Sequence, residues 1–252
     1  YLMVEIEFYM YLLLFVAAFV AGFIDSIAGG GGLIATPALL LAGLPPLNAL
    51  ATNKIQAVFG SSTAAINYRL KIDSSIKESR LVILFIVSFL GSIVGTFIIS
   101  SLDASLLIKL IPILLIAVSI FFAFKKDLDS INRKTVVSSN TFILVTVLIG
   151  GYDGAIGPGT GSFFMLAFVS LRGMTLLNAT YNTKVVNFAS NLGSLITFIY
   201  LGLVNWTIGL VMATGQIAGA YCGSNLTIKK GSKIIKPTLV TMSLIMSLRL
   251  LL

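Results

Sequence analysis

Four charged residues stand inside otherwise apolar sequence: Asp25, Lys54, Asp153 and Lys184. A charge at membrane depth costs at least about 2.5–3.5 kcal/mol, and such residues mark ligand or ion pathways. Each aspartate opens a glycine-rich stretch, Asp25-Ser-Ile-Ala-Gly-Gly-Gly-Gly32 and Asp153-Gly-Ala-Ile-Gly-Pro-Gly-Thr-Gly161. Unwinding a helix frees backbone N–H groups, and the half-helix that follows starts with a partial positive charge. The chemistry on offer is therefore anion binding. Gly30, Gly31 and Gly32 present bare backbone, while Gly157, Gly159, Thr160, Gly161 and Ser162 add hydroxyls to the same kind of surface. Lys54 and Lys184 supply positive charge; Asp25 and Asp153 orient them or carry a coupling proton. The structural alternative is an Asp–Lys ion pair within each half, fixing the broken hairpin to the helix that follows it. The glycines would then serve close helix packing.

The lysines sit in a second repeated pattern, Asn48-Ala-Leu-Ala-Thr-Asn-Lys54 and Asn178-Ala-Thr-Tyr-Asn-Thr-Lys184. From Asn53 and Lys54 a polar and small-residue stripe continues through Gln56, Ala57, Gly60, Ser61 and Ala64. Its counterpart runs through Asn182, Thr183, Lys184, Asn187, Asn191 and Ser194. Asn187 and Asn191 are one helical turn apart and share a face. A single Asn or Ser in such a helix usually glues it to a neighbour. A stripe converging on both glycine breaks lines a small polar cavity, with Asn53, Asn187 and Asn191 as donors. Tyr68, Tyr200 and Trp206, near run ends, read as interfacial anchors, and Lys109 as a snorkelling side chain.

The elements that must position these residues are membrane helices. The 252-residue chain is 57% hydrophobic and 10% charged, against about 25% charged in soluble domains. Apolar runs fall at about 8–27, 33–43, 47–68, 81–101, 104–124, 136–151, 161–171, 174–203, 206–227 and 235–252. Spanning takes about 20 residues, so 33–43 and 161–171 are half-helices or re-entrant segments after the breaks. Twelve of the 17 Lys/Arg lie in three loops, 69–80, 125–135 and 228–236. Charge bias places those loops in the cytoplasm and both termini outside. Crossing parity then makes repeat 1 (about 8–124) and repeat 2 (about 136–252) oppositely oriented sets of five segments, joined by linker 125–135. The expected fold is an all-α membrane protein, one transport domain over 1–252 built from two inverted repeats, with the site at the midplane between them.

Composition excludes much else. Without histidine and with one cysteine, Cys222, the chain offers no usual catalytic triad, disulfide or Cys-rich metal site. We expect no enzyme, cofactor or metal. Gly157-Pro-Gly-Thr-Gly161 lacks the strand before it and the Lys-Ser/Thr after it that a nucleotide loop needs. The net charge of +8 belongs to the cytoplasmic loops, not to a nucleic-acid surface. Glu5 and Glu7, with no basic residues beside them, make the first run a membrane helix, not a cleaved leader.

The stretches Gly29-Gly-Gly-Gly-Leu-Ile-Ala-Thr-Pro37, Gly43-Leu-Pro-Pro46 and Asn48 to Lys54 resemble the TauE/SafE (TSUP) family. So do Gly150-Gly-Tyr-Asp-Gly154, Gly157 to Phe163, and Asn178 to Lys184 with Asn187. The resemblance covers essentially the whole chain. It implies an inner-membrane protein that moves sulfite, sulfonates or related small anions. A passive anion channel and a cation transporter using Asp25 and Asp153 remain the alternatives. The expected partners are a small anion, the lipid bilayer and a coupling proton or sodium ion.

Overall fold

The computed structural model describes residues 8–71, 78–103, 135–231, 233, 234 and 238. All regular structure among them is helical: α1 Phe8–Ala28, α2 Gly32–Leu41, α3 Pro46–Arg69, α4 Glu78–Ser100, α5 Ser139–Ala155, α6 Thr160–Arg172, α7 Leu176–Tyr200 and α8 Trp206–Lys230. The sequence dictates several of the starts. Pro46 occupies the first turn of α3, where a missing N–H costs nothing. The side chains of Ser138, Thr175 and Asn205 accept from Thr141 N, Asn178 N and Ile208 N at the heads of α5, α7 and α8. The short helices α2 and α6 follow the two glycine breaks, as the run lengths required. Glu5, Glu7, Lys77, the run 104–124 with Lys109, most of linker 125–135 and most of 235–252 lie outside the described residues.

The packing is apolar on the outside and polar at the seams. In α4, Val82, Ile83, Ile86, Leu90, Val94 and Ile98 are exposed, while Ser88, Ser92 and Thr96 are fully buried at four-residue spacing. Hydrocarbon gives no hydrophobic drive between helices, so small residues that allow close backbone approach and hydrogen bonding take the interior. Thr96 Oγ1 donates to Gly154 O at 3.0 Å, and Ser88 Oγ to Val186 O at 2.9 Å. An outer surface of Leu, Ile and Val is one that lipid solvates.

The halves interleave. α8 packs chiefly on α1 and α3, and α4 chiefly on α5 and α7. Each half therefore lends its last described helix to the other half's hairpin and long helix. At one end of the bundle, Lys71 Nζ donates to Asn225 Oδ1 at 2.6 Å and Asn67 Nδ2 to Ser224 Oγ at 2.7 Å, joining the ends of α3 and α8. At the other end of α3, Asn48 Nδ2 donates to Leu203 O at 2.9 Å.

Tyr68 corrects an expectation. It is not an interfacial anchor but wholly buried, and its hydroxyl donates to Ser26 O at 2.7 Å. That carbonyl belongs to the last turn of α1, where the helix ends without a successor to satisfy it. Tyr200 and Trp206 do lie exposed at helix ends.

Candidate functional site

The two breaks touch. Gly29 (φ +80°) and Gly30 (φ +99°) turn the chain between α1 and α2; Gly157 (φ +88°) and Gly159 (φ +85°) do so between α5 and α6. The space a Cβ would fill on Gly29 is taken by the backbone of Gly161 and Ser162. Only glycine allows both that approach and that φ. Across the contact, Ser162 Oγ donates to Ala28 O at 2.9 Å. Within the second break, Tyr152 OH donates to Pro158 O at 2.6 Å and Thr160 Oγ1 to Gly157 O at 2.6 Å.

The four charges form two ion pairs, and the pairs cross. Lys54 Nζ lies 2.9 Å from Asp153 Oδ1, and Lys184 Nζ lies 2.8 Å from Asp25 Oδ2. Each lysine thus holds the aspartate of the other half. The ion pairs named as the structural alternative do form, but between the halves and not between a hairpin and the helix that follows it. The reason is geometric: α3 and α7 pack against each other, so each ammonium projects across their shared axis onto the opposite break. Each lysine also donates to the main-chain carbonyl of its aspartate, Lys54 to Asp153 O and Lys184 to Asp25 O. These carbonyls lie in the final turns of α1 and α5, where ammonium groups meet the negative end of the helix dipole.

Between the breaks and the two long helices lies a polar cavity of about 30 Å³, room for a water or two. Asp25, Gly30, Gly31, Gly32, Asn53, Asp153, Gly157, Gly159, Thr160, Gly161, Asn187 and Asn191 line it. Of the ligands expected from sequence, Lys54, Lys184 and Ser162 stand behind this wall, and of the two stripes Gly60, Ser61, Ala64, Asn182, Thr183 and Ser194 do not line it. Lys54 and Lys184 are turned onto the aspartates, and Ser162 onto Ala28 O. Among the described residues the amides of Gly30, Gly32, Gly159 and Gly161 meet no acceptor, whereas Gly31 N donates to Asp25 Oδ1 at 3.3 Å. Each break therefore brings two glycines with amides lacking an acceptor to the wall of one cavity, at the positive ends of α2 and α6.

Sequence reasoning missed two wall residues as ligands. Gln56, read only as part of a stripe, and Gln216 of α8 both line the cavity. Both are buried, and the side-chain oxygens of both lack partners among the described residues. Gln56 Nε2 donates to Asn53 Oδ1 at 2.7 Å. The signal at Gln216 was its isolation: one long amide in the run Met212 to Tyr221, otherwise small or apolar.

The model of the sulfite exporter TauE/SafE family matches residues 14–250. The chain belongs to that family. A TauE/SafE relative from a Sinorhizobium species, "Probable membrane transporter protein ORF9", is 45% identical over 99% of this chain and 95% of its own length. "Probable membrane transporter protein YfcA" of Escherichia coli K12 is 43% identical over 94% of this chain and 88% of its own. A Haemophilus influenzae protein, named only as a probable membrane transporter, is 41% identical over 94% and 93%. No solved structure matches. This TauE/SafE chain is a membrane transporter, in keeping with its apolar exterior and with helices such as Arg80–Ser100 that are long and apolar enough to span.

Proposed function

We propose that the protein is a secondary transporter of a small organic or sulfur-containing anion, such as sulfite, a sulfonate or a related oxyanion. It works across the inner membrane by alternating access between two inverted repeats. The observation that carries this reading is the set of four unpartnered glycine amides around one cavity. Buried N–H groups without acceptors are costly, and an oxyanion supplies acceptors. The charge balance agrees. Two lysines offset two aspartates, so a neutral site receives the anion, and the partial charges of two helix starts stabilise it. Asn53, Asn187 and Asn191 add side-chain donors. Asp25 and Asp153 hold the lysines, and one of them serves the coupling proton or sodium ion.

The crossed packing of α4 and α8 supports inverted repeats, because the same exchange of helices occurs in both halves. The small cavity supports a carrier over an open channel, since a space with room for a water or two must widen and open to one side to admit an anion. The sulfur assignment rests on the family, whose description names sulfite.

The test is a thermal-shift and proteoliposome flux screen of sulfite, sulfate, thiosulfate, taurine, sulfoacetate and carboxylates. A sulfur anion at one hundred times its Kd should stabilise the protein by about 2.7 kcal/mol. A response to carboxylates or cations alone overturns the assignment.

A further inference from the structure

The two crossed ion pairs are not equivalent. A lysine ammonium has three N–H donors. Those of Lys54 meet Asp153 O at 2.6 Å, Asp153 Oδ1 at 2.9 Å and Asn191 Oδ1 at 3.2 Å. Among the described residues Lys184 meets Asp25 O and Asp25 Oδ2 alone. The difference follows from sequence register. Seven residues after Lys184 stands Asn191, which reaches Lys54; seven after Lys54 stands Ser61, whose hydroxyl donates back to Ala57 O at 2.6 Å. Three residues after Lys184 stands Asn187, whose Nδ2 lies 3.5 Å from Asp153 Oδ2; three after Lys54 stands Ala57, with nothing to give Asp25.

The environments differ in the same sense. The Asp153 side chain is 2% exposed and that of Asp25 is 13%. Each pair stands beside a glycine of the wall: the Cβ position on Gly157 is 2.9 Å from Lys54 Nζ and 3.2 Å from Asp153 Oδ1, and that on Gly161 is 3.6 Å from Lys184 Nζ and 3.5 Å from Asp25 Oδ1. The two glycines differ in their amides, because Gly157 N donates to Tyr152 O at 3.2 Å. The Gly161 amide is one of the unpartnered four.

We infer that the two pairs divide the work: Lys54–Asp153–Asn191 is a fixed brace between the halves, and Lys184–Asp25 is an exchangeable pair in which the carboxylate of Asp25 competes with the transported anion for Lys184. The inference rests on the anion reading above. The incoming oxyanion displaces Asp25 from Lys184 and takes the free ammonium N–H together with the amide of Gly161. Asp25 keeps its bond to Gly31 N, and its return to Lys184 expels the anion. An internal carboxylate of this kind limits affinity so that release remains fast.

The test compares Asp25→Asn with Asp153→Asn, reading sulfite and sulfoacetate Kd from thermal-shift titrations of the purified full chain. Removing the competitor's charge should tighten binding about tenfold in Asp25→Asn and slow efflux from loaded proteoliposomes. Asp153→Asn should lower the melting temperature without tightening binding. Ser61→Asn, which places an amide acceptor near Lys184, should weaken binding with the melting temperature held. Equal affinity changes in the two aspartate variants, or weaker binding in Asp25→Asn, overturn the division of labour. Should Asp25→Asn not fold, unchanged binding in a folded Ser61→Asn overturns it. Failure of the wild-type chain to bind any anion of the screen, carboxylates included, instead sinks the anion reading itself.

Discussion

Lys54 and Asp153 are 99 positions apart in sequence, and their Nζ and Oδ1 atoms lie 2.9 Å apart in the core. The second pair, Lys184 with Asp25, spans 159 positions in the opposite sense. Together they tie each glycine break to the long helix of the other half. A membrane interior tolerates these charges because each is paired and further hydrogen-bonded: each ammonium donates to a main-chain carbonyl, Asp25 accepts from Gly31 N, and Asp153 accepts from Asn187 Nδ2. The ties also place both breaks around one cavity, so the residues that hold the halves together adjoin those proposed to bind the anion.

Breaking the buried brace should be expensive. In Lys54→Met the carboxylate of Asp153 loses its counter-charge, and in Asp153→Asn the ammonium of Lys54 does. Either change should cost about 3–5 kcal/mol. The double variant Lys54→Met, Asp153→Leu should cost less than the sum of its parts, because no charge is left uncompensated. Thermal unfolding in detergent measures all of these, and additive costs would show that the pair is not coupled.

Contact between the breaks predicts a contrast among glycines. Gly29→Ala meets backbone of Gly161 and Ser162 at a φ of +80°, whereas Gly202→Ala has a φ of +70° and open space around it. Gly202→Ala should pay only the backbone cost, of order 1 kcal/mol. Gly29→Ala should pay that and the separation of the two breaks, leaving little folded protein. Fluorescence-detected size exclusion of the two variants decides it; similar yields would show that the breaks need not touch.

The helices were legible in the sequence because their signals are local. Run lengths announced two short helices, and α2 and α6 are those; Pro46 and Ser138 mark starts that the structure uses. The residues around the cavity were legible through repetition, since Asp25 and Asp153, or Lys54 and Lys184, recur in one context. Partnership was not. Whether Lys54 takes the aspartate of its own half or of the other depends on the packing of α3 against α7, which no spacing within a half encodes. Tyr68 misled for the same reason: its place near a helix end suits an interface, and only the fold brings Ser26 O to its hydroxyl. Gln216 lay in a helix whose neighbours gave no period of polar residues, so a single side chain carried the whole signal.

Gln216 should show how a wall residue separates binding from stability. Its oxygen has no partner among the described residues, so Gln216→Leu removes no hydrogen bond made there by that atom and should leave the melting temperature unchanged or raised. Where the amide contacts the bound anion or its water, loss of one hydrogen bond of about 1 kcal/mol should weaken sulfite or sulfonate binding about fivefold. Thermal-shift titration reads both quantities in one experiment. A clear drop in melting temperature with affinity intact would make Gln216 a packing residue.

Orientation yields the last prediction. Lys71 and Asn225 are joined at 2.6 Å, so the basic ends of α3 and α8 share one end of the bundle. Arg80 and Arg172 line a common groove between the start of α4 and the end of α6, and Val136 N donates to Leu171 O at 3.0 Å beside it. The chain on either side of α5 and α6 therefore returns to one face, as a hairpin that starts and ends in the cytoplasm requires. Basic loops are retained on the cytoplasmic side during insertion, so this end should face inward and the Asn48–Leu203 end outward. After replacement of the exposed Cys222, single cysteines at Ser75 and Asp129 should react with an impermeant maleimide only in inverted vesicles. A cysteine at the exposed Tyr200 should react in intact cells or right-side-out vesicles. Labelling of Ser75→Cys from outside would reverse the orientation and with it the side to which each broken hairpin opens.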